Sequence, residues 1–478
     1  MREGTVPTHR QIARHIDPTL APAYGLAVLR ALEAAGHEAW FVGGWVRDAL
    51  RGESAHDVDV CTSATWQQTE RALEAAGIEA HETGIQHGTV TAVVGGRPVE
   101  TTTYRIDGAY TDQRHPDSVT FVTDVREDLA RRDFTVNAMA WHPERGLLDP
   151  FGGREDLELG VIRAVGEPAV RFGEDALRVL RAVRFACRLG FAIEPGTQRA
   201  LVDAAPELAH VARERVGAEL RGIVNSGRCA WALRNEFEVM AAAIPAIGRM
   251  RGFAQRSPYH SYDALEHTAR VVAGIECFAG GVVSERLRWA ALLHDIGKPA
   301  CFTVDVNGQG HFYGHPHEGA VMSVHILREL AIPLELSRQI VALVRLHDRP
   351  MKASAPSELR LVADLARRSG LRTRAEVVEL MHEMFDLRRS DAIAKAPQCR
   401  AYATELNGHE RLFRRIVVEG GCWSMGDLAV SGGDVMSACD IAPGPAVGDA
   451  LRAALDAVIA GHVPNNREAL LSFLRKLF

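Results

Sequence analysis

Two aspartates separated by one residue follow a glycine turn near the start of the chain. The run GGWVRD over residues 43–48 is followed by Asp57-Val58-Asp59. Residues i and i+2 of a strand point to the same face, so Asp57 and Asp59 are expected to project together. Two carboxylates held this close repel each other unless a cation lies between them. Oxygen-only ligation suits Mg²⁺, which takes one or two carboxylates and completes its shell with substrate phosphates.

The residues around this pair indicate a nucleoside triphosphate site. Glycines let a phosphate approach the backbone closely, and Arg47 adds a permanent charge with forked donors. A third carboxylate, Glu100, lies in the strand-like segment 97–105 and could complete the metal site or orient an attacking hydroxyl. Such sites often use two metal ions about 3.5–4 Å apart for in-line displacement at phosphorus. The alternative is a solvated aspartate pair on a surface strand, which the upstream GGWVRD run argues against.

A second basic segment follows at Arg131-Arg132-Asp133-Phe134-Thr135-Val136-Asn137. Its adjacent arginines could reach triphosphate oxygens, with Asp133 and Asn137 fixing their geometry. A capped, surface-charged helix start would explain the same residues equally well. The segment therefore supports the triphosphate site without establishing it.

A predicted helix over 174–189 carries a candidate device for choosing the base. Asp175 and Arg178 are three residues apart, hence neighbours on one helix face. An acceptor beside donors matches the amino group and ring nitrogen of cytosine or adenine, and it rejects uracil and guanine. Each further step of three residues turns about 60° backwards, so Arg181 stays within reach while Arg184 is expected opposite Asp175. An ordinary i,i+3 salt bridge is the alternative.

The C-terminal half contains a separate set of metal-ligand types: His267, His294-Asp295 and Asp391. Imidazole and carboxylate ligands suit a divalent transition metal better than Mg²⁺ alone. A metal with an open position would activate water to attack a phosphate ester. The alternative is a helical platform whose histidines are buried and hydrogen-bonded.

Further histidines could hold a second metal ion near this set. They are His347 and either His315 or His317 in the run GHPHEGA. The residue pattern leaves the last choice open.

Hydrophobic patterning predicts an α/β head followed by helices. Short β-rich runs alternate with helical stretches such as 65–76, which predicts one mixed sheet with helices. From about residue 168 onward, apolar residues and arginine recur at helical spacing. The predicted parts are a helical lead-in (1–37), the head (38–165), a helical neck that binds RNA and nucleotide (166–252), a metal-site domain (253–400) and a helical tail (401–478). In the tail, Gly461 is expected to end one helix, and Asn465 with Glu468 to cap the next.

Composition limits the classes of function. The 478 residues have 47% hydrophobic content and a formal net charge of −6, so any surface that binds nucleic acid must be local. Only four of the 55 basic residues are lysine. Eight scattered cysteines fit a reducing cytoplasm, and we expect neither a signal peptide nor a membrane span.

Taken together, the motifs resemble the bacterial tRNA nucleotidyltransferases, the class II CCA-adding enzymes of the DNA polymerase beta superfamily. The resemblance covers nearly the whole chain. It rests on GGWVRD, the aspartate pair, the stretch from Tyr104 to Pro116, RRDFTVNAMA, DPFGGREDL, EDALRVLRAVRFA and the ending IAPGPAVG…VPNNREALL.

The resemblance implies roles for individual residues in the head and neck. Asp57 and Asp59 would bind Mg²⁺, and Asp175 with Arg178 would read the incoming base without a nucleic-acid template. The residues implied to hold the nucleotide are Gly44, Arg47, Arg132, Arg181 and Arg184. The expected substrates are CTP, ATP and tRNA lacking CCA, with no DNA or membrane partner and an open oligomeric state.

The run ALLHDIGKPA resembles the HD phosphohydrolase superfamily. The register of that resemblance favours His315 over His317 as a ligand of the second metal ion. In CCA-adding enzymes with such a domain, the resemblance implies phosphatase or 2′,3′-cyclic phosphodiesterase activity on RNA ends. The uninterrupted, charged loop over 105–116 favours full CCA addition over CC-only or A-only addition. The rival hypotheses are an HD phosphohydrolase whose head merely binds RNA, and a non-catalytic RNA-binding protein.

For RNA contacts, the sequence offers two arginine-rich stretches. One is 178–188 and the other contains Arg213, Arg215, Arg221 and Arg228. Phosphate contacts dominate affinity for RNA, so basic patches are where tRNA is expected to bind. A solvated helix face explains the second stretch equally well.

Overall fold

The computed structural model describes residues 12–13, 15–54, 57–84, 87–108, 118–278 and 282–477. The chain divides into two compact units, Met1–Arg228 and Cys229–Phe478. The predicted neck, 166–252, therefore has residues in both units. Most of the loop predicted over 105–116 lies outside the described residues.

The first unit contains a mixed seven-stranded sheet among the described residues, with the order β3-β4-β5-β2-β1-β8-β9. Strands β2 and β5 pair in parallel, whereas the other neighbours pair antiparallel. The sheet strands are β1 (Ala39–Val42), β2 (Asp59–Thr62), β3 (Glu79–Gly84), β4 (Thr89–Val94), β5 (Arg97–Thr103), β8 (Ala140–His142) and β9 (Gly146–Leu148). Two short pairs lie outside it, β6 (Arg105–Asp107) with β7 (Val119–Phe121) and β10 (Val161–Ile162) with β11 (Ala192–Ile193). The expectation of a head built on one sheet is therefore too simple.

Nine α-helices are found among the described residues of this unit. They are α1 (Ala23–Ala34), α2 (Gly44–Leu50), α3 (Trp66–Ala75), α4 (Val125–Ala130), α5 (Gly153–Leu159), α6 (Pro168–Glu174), α7 (Leu177–Leu189), α8 (Pro195–Ala204) and α9 (Arg213–Val224). Helix α3 matches the predicted 65–76 helix, because Thr65 and Gln68 form a capping box at its start. The helix predicted over 174–189 is shorter, since Asp175 has extended backbone angles and α7 begins at Leu177.

The second unit is almost entirely helical. Its helices are α10 (Cys229–Asn235), α11 (Phe237–Ala243), α12 (Pro245–Gly248), α13 (Ala264–Phe278), α14 (Glu285–Leu293), α15 (His315–Glu329), α16 (Leu334–Leu346), α17 (Ala355–Ser369), α18 (Arg374–Ala394), α19 (Arg400–Val418), α20 (Gly432–Cys439), α21 (Pro445–Ile459) and α22 (Arg467–Leu477). One hairpin, β12 (Thr303–Val304) with β13 (Gly310–His311), interrupts them.

The tail corrects one predicted helix cap. Gly461 follows α21 in the left-handed conformation, as expected of a residue that ends a helix. However, Asn466 rather than Asn465 caps α22, because its Oδ1 accepts from the backbone N–H of Ala469. Asn465 instead joins the tail to an earlier turn by bonding to Asp427 and Ala429.

The predicted fold class, a mixed-sheet head followed by a helical body, is confirmed. The division into five parts stays a prediction. All eight cysteines fall within the described ranges, and none of them forms a disulfide there. No described helix is both long and apolar enough to cross a bilayer.

Candidate functional site

The glycine turn at residues 43–44 connects the end of β1 to α2 beside Asp59. Val42, the last residue of β1, pairs with Asp59 at the start of β2. Gly43 then adopts φ +70°, a conformation that L-residues with a side chain rarely accept. A Cβ atom there would lie 3.1 Å from Nη1 of Arg132. Glycine is thus required both by the backbone and by the close approach of an arginine.

Asp57 and Asp59 line the same cavity of about 500 Å³. The prediction that both belong to one strand is wrong in its boundary, because β2 begins at Asp59. Asp57 has no ladder partner on β1, since that strand ends opposite Asp59 and turns into α2. The two carboxylates are nevertheless brought to one cavity, which is what the spacing predicts.

Glu100 lies directly opposite Asp59 in the parallel pairing of β2 with β5. Its side chain is exposed, and it is not among the residues that line the cavity. Burial raises the pKa of Asp59 to about 6; Arg132 opposes this shift, while Glu100 and Asp57 add to it. A cation at this position would relieve that cost, and its binding would displace a proton from Asp59 below pH 6.

Arg47 is buried and held from two sides. Its Nε and Nη2 donate to the carboxylate of Asp48 at 2.7 and 2.9 Å, and its Nη1 donates to Oδ1 of Asn137 at 2.7 Å. Each terminal nitrogen keeps a second N–H, so the guanidinium can still donate into the cavity that it lines.

The predicted supports of the arginine pair are wrong. Arg131 and Arg132 are held by the fully buried Asp128, at 2.8 and 3.5 Å. Asp133 instead accepts two hydrogen bonds from Arg181, and Asn137 serves Arg47. The predicted partner of Asp133 differs from the observed one because Arg181 comes from α7, 48 residues further along the chain.

The predicted base-reading pair lines the cavity, but its two side chains have other partners. Oδ2 of Asp175 accepts from Nη2 of Arg215 at 2.9 Å, and its Oδ1 accepts from the backbone of Leu177. Nη1 of Arg178 contacts the carboxylate of Glu174 and donates to the carbonyl of Arg171. Both groups keep spare hydrogen-bonding capacity, because each carboxylate oxygen has two lone pairs and a guanidinium has five N–H donors.

Arg184 lines the same cavity as Asp175, contrary to the expectation that it lies opposite. That expectation counted 100° per residue from Asp175, which is not helical here. Arg184 donates to Glu219 of α9 at 2.5 Å, and its guanidinium lies 4.4 Å from the centre of the Phe185 ring. Arg47 and Arg181 also lie over this ring.

Sequence reasoning missed two residues of this cavity. Phe185 was not singled out, and Arg215 was considered only as a candidate RNA contact or part of a solvated helix face. Only the packing of α9 against α7 reveals the second. The assembled cavity offers two carboxylates for a cation, four or more guanidinium groups for phosphate and a hydrogen-bonding pair for a base.

The histidine set of the second unit also comes together. The ligand atoms of His267, His294, Asp295 and Asp391 lie within 4.8 Å of one another, and all four residues are buried. Nε2 of His267 is 3.2 Å from Oδ2 of Asp295 and 3.1 Å from Oδ1 of Asp391. Helices α13 and α18 and the end of α14 supply these residues.

A second group shares Asp295. It combines Asp295 with His315 and His347, whose Nε2 atoms lie 3.4 and 3.6 Å from Oδ1 of Asp295. His315 begins α15 and is buried, whereas His317 is exposed. Of the two histidines left open by the sequence, the structure brings His315 into the group.

Backbone carbonyls orient three of the imidazoles. Nδ1 of His294, His315 and His347 lies 2.8, 2.9 and 2.8 Å from a carbonyl oxygen three residues earlier. A carbonyl only accepts, so the proton is on Nδ1 and the Nε2 lone pair faces the cluster. This is the arrangement that metal-binding histidines need.

The donor set therefore fits divalent metal ions. Burial lowers the pKa of His294, which keeps its ring neutral and able to ligate. Although burial acts in the opposite direction, His294 and Lys298 hold the pKa of Asp295 well below its usual range. A neutral imidazole at His294 beside an ionised carboxylate at Asp295 suits a transition metal. At His267, burial is outweighed by hydrogen bonds to Asp295 and Asp391, which raise the pKa of the imidazole, so a metal ion bound there would displace a proton.

Family models match most of the chain. Residues 39–163 match the Poly A polymerase head domain, and residues 190–243 match an RNA and SrmB-binding site of polymerase A. Residues 260–396 match the HD domain, and residues 390–474 match tRNA nucleotidyltransferase domain 2.

Full-length relatives agree with these matches. The CCA-adding enzyme of Geobacillus stearothermophilus is 33% identical over 451 residues, covering 94% of this chain and 95% of the relative. That of Lactiplantibacillus plantarum is 31% identical over 449 residues, covering 94% of each. The crystal structure of the Bacillus stearothermophilus CCA-adding enzyme in complex with CTP superposes with a TM-score of 0.66 at 30% identity, covering 95% of this chain and 96% of that one.

Proposed function

The chain belongs to the family of CCA-adding enzymes, bacterial tRNA nucleotidyltransferases, and from its geometry we propose which residues carry each part of that activity. It adds or repairs the 3′-terminal CCA of tRNA, using CTP and ATP. The head and HD domains make it dependent on divalent metal. Which metal each site holds, and which residues act, are proposals.

In the head, we assign Asp57 and Asp59 as the ligands of Mg²⁺. The observation that carries this assignment is that both carboxylates line one cavity to which eight arginines also contribute. Bound there, Mg²⁺ supplies activation of the tRNA 3′-hydroxyl and neutralisation of the leaving pyrophosphate. Glu100, opposite Asp59 on β5, orients the hydroxyl from the exposed side.

The triphosphate is assigned to the glycine turn and the arginines around it. Gly44 permits close approach of the phosphate, and Arg47 donates hydrogen bonds to it from the cavity lining. Arg132 lines the same cavity, with its guanidinium beside Gly43. Arg181 and Arg184 lie on the next turns of α7 and face the same cavity. Each of these two is held by a carboxylate, so its guanidinium is positioned before the nucleotide arrives.

Asp175 and Arg178 are assigned to the base. The Asp175 carboxylate accepts from the exocyclic amino group of cytosine or adenine, while Arg178 donates to the neighbouring ring nitrogen. Uracil and guanine present the opposite order and leave both protein groups without partners. Arg215 keeps the Asp175 carboxylate turned into the cavity.

The surrounding helices are assigned to the tRNA. The acidic chain must bind RNA through local basic surfaces, and Arg188 lies at the rim of the nucleotide cavity. Recognition of the acceptor end by shape fits such a surface better than base-edge reading. The lack of disulfides among the eight cysteines, all of them described, supports a cytoplasmic location.

In the second unit, we assign a metal-dependent phosphohydrolase acting on RNA 3′ ends, as phosphatase or 2′,3′-cyclic phosphodiesterase. His267, His294, Asp295 and Asp391 hold one divalent transition metal. Asp295, His315 and His347 would hold a second. Bound metal supplies an activated water for attack on phosphorus.

The His294→Ala variant tests this second assignment. Hydrolysis of a 2′,3′-cyclic RNA end is expected to fall by about 10²-fold or more, because several kcal/mol of metal-ion stabilisation are lost. Bound metal should fall as well, while CCA addition stays unchanged. His325→Ala, which changes an exposed histidine on α15, is the control. Persistence of hydrolysis in His294→Ala would remove the assignment.

A further inference from the structure

We propose that the cavity at the histidine cluster binds a nucleotide, with the base stacked on the paired rings of His311 and Tyr313. This inference rests on the proposed phosphohydrolase and deepens it. It names the side chains that would recognise the base of the nucleoside phosphate substrate.

An aromatic platform forms one wall of this cavity. The rings of His311 and Tyr313 stack with centroids 5.2 Å apart and an interplanar angle of 7°. Tyr313 is 79% exposed, so one ring face remains accessible beside the cavity that it lines. Tyr259 adds a second exposed aromatic side chain to the lining. Such rings are the usual platforms on which proteins stack bases without regard to sequence.

The platform is held rigidly. His311 belongs to the β12–β13 hairpin, and its Nε2 lies 3.0 Å from Oδ2 of Asp305. The other oxygen of Asp305 accepts from the backbone of Asn307 and Gln309. The imidazole is thus fixed in a plane that supports Tyr313, which lowers the entropy cost of stacking a base on it.

The part of the cavity lined by Lys298 and Lys395, beside the histidine cluster, suits a phosphate group. Lys298 Nζ is 2.6 Å from Asp295, and Lys395 Nζ is 2.6 Å from Asp391. Two of the only four lysines in the chain are therefore placed against ligand carboxylates. Because each lysine already neutralises its carboxylate, a divalent metal ion bound at the cluster would leave the site with a net positive charge. A positively charged site favours the binding of an anion.

The net charge of the residues that line the cavity also favours an anion. Among its charged residues, four are basic and three are acidic. They are Lys298, Arg349, Arg388, Lys395, Asp295, Asp348 and Asp391. The cavity volume of about 760 Å³ lies within the roughly 300–1,000 Å³ usual for small-ligand sites. Phosphate at the cluster and base on the platform therefore occupy one continuous space.

The kinetic test compares two substrates in Tyr313 variants of the full chain. With 2′,3′-cyclic AMP, Tyr313→Leu should raise KM by about tenfold with kcat nearly unchanged, since base stacking is lost. Tyr313→Phe should retain the wild-type KM. Glycerol 1,2-cyclic phosphate, which has no base, should show equal kinetics in all three proteins. Val306→Ala, at a fully exposed position of the same hairpin outside the lining, is the control.

A binding measurement decides the matter without catalysis. In metal-free protein, Tyr313→Leu should weaken binding of 3′-UMP several-fold, and Tyr313→Phe should not. A uridine nucleotide is chosen because the head is expected to reject uracil. Equal affinity of Tyr313→Leu and Tyr313→Phe for 3′-UMP would overturn the proposal that the base stacks on Tyr313. If no cyclic substrate is hydrolysed by wild type while the binding difference persists, the hydrolase assignment fails and the nucleotide site stands.

Discussion

Replacing Asp57 by Ala, or Asp59 by Asn, is expected to lower transfer of labelled CMP and AMP to tRNA lacking CCA by about 10³-fold or more. Each change removes a negatively charged carboxylate ligand from a metal site worth several kcal/mol in the transition state, and each 1.36 kcal/mol corresponds to a factor of ten in rate. The effect should appear in kcat at saturating CTP and ATP.

Folding must be separated from chemistry in this experiment. Both aspartates border an open cavity rather than the core, so their replacement should leave thermal unfolding near that of the wild type. Glu79→Gln, an exposed acid on edge strand β3, is the matched control and should label tRNA normally. Undiminished labelling by Asp57→Ala would show that the head assignment is wrong.

Replacing Asp175 by Ala is expected to relax rejection of UTP by about 10- to 100-fold. The carboxylate selects the amino group of cytosine or adenine, and a good pair of base contacts contributes about 1–3 kcal/mol of discrimination. The measurement is the ratio of kcat/KM for CTP to that for UTP, with Mg²⁺ dependence determined in parallel. The Mg²⁺ dependence should change little, because Asp57 and Asp59 remain.

Arg215→Ala should act in the same direction but more weakly. Its guanidinium donates to Oδ2 of Asp175, so its loss frees the carboxylate without removing it. Glu158→Ala, a change on α5 outside the cavity, is the control. Unchanged rejection of UTP in Asp175→Ala would refute the base-reading role.

The sequence predicts features that depend on local conformation. Glycine at position 43 follows from a turn that needs positive φ, and the aspartate spacing predicts two carboxylates facing one cavity. The helix over 65–76 and the end of a helix at Gly461 are equally local. Each of these depends on chain geometry within a few residues, which is where periodicity and capping rules hold.

The sequence cannot assign partners that are distant along the chain. Asp133 pairs with Arg181 across 48 positions, and Asp175 pairs with Arg215 across 40. The helical count from Asp175 to Arg184 fails because one residue in extended conformation resets the rotation. Likewise, residue types alone leave the choice between His315 and His317 open, because the two lie two residues apart in one histidine-rich run, and the fold is what buries His315 at the start of α15.

Diffraction from the protein bound to a non-reactive CTP analogue and Mn²⁺ tests the central assignment most directly, because the anomalous signal of Mn²⁺ locates the ion. The account predicts an anomalous peak within ligand distance of carboxylate oxygens from both Asp57 and Asp59 and of triphosphate oxygens. A nucleotide bound elsewhere, or an ion that contacts neither aspartate, would contradict it.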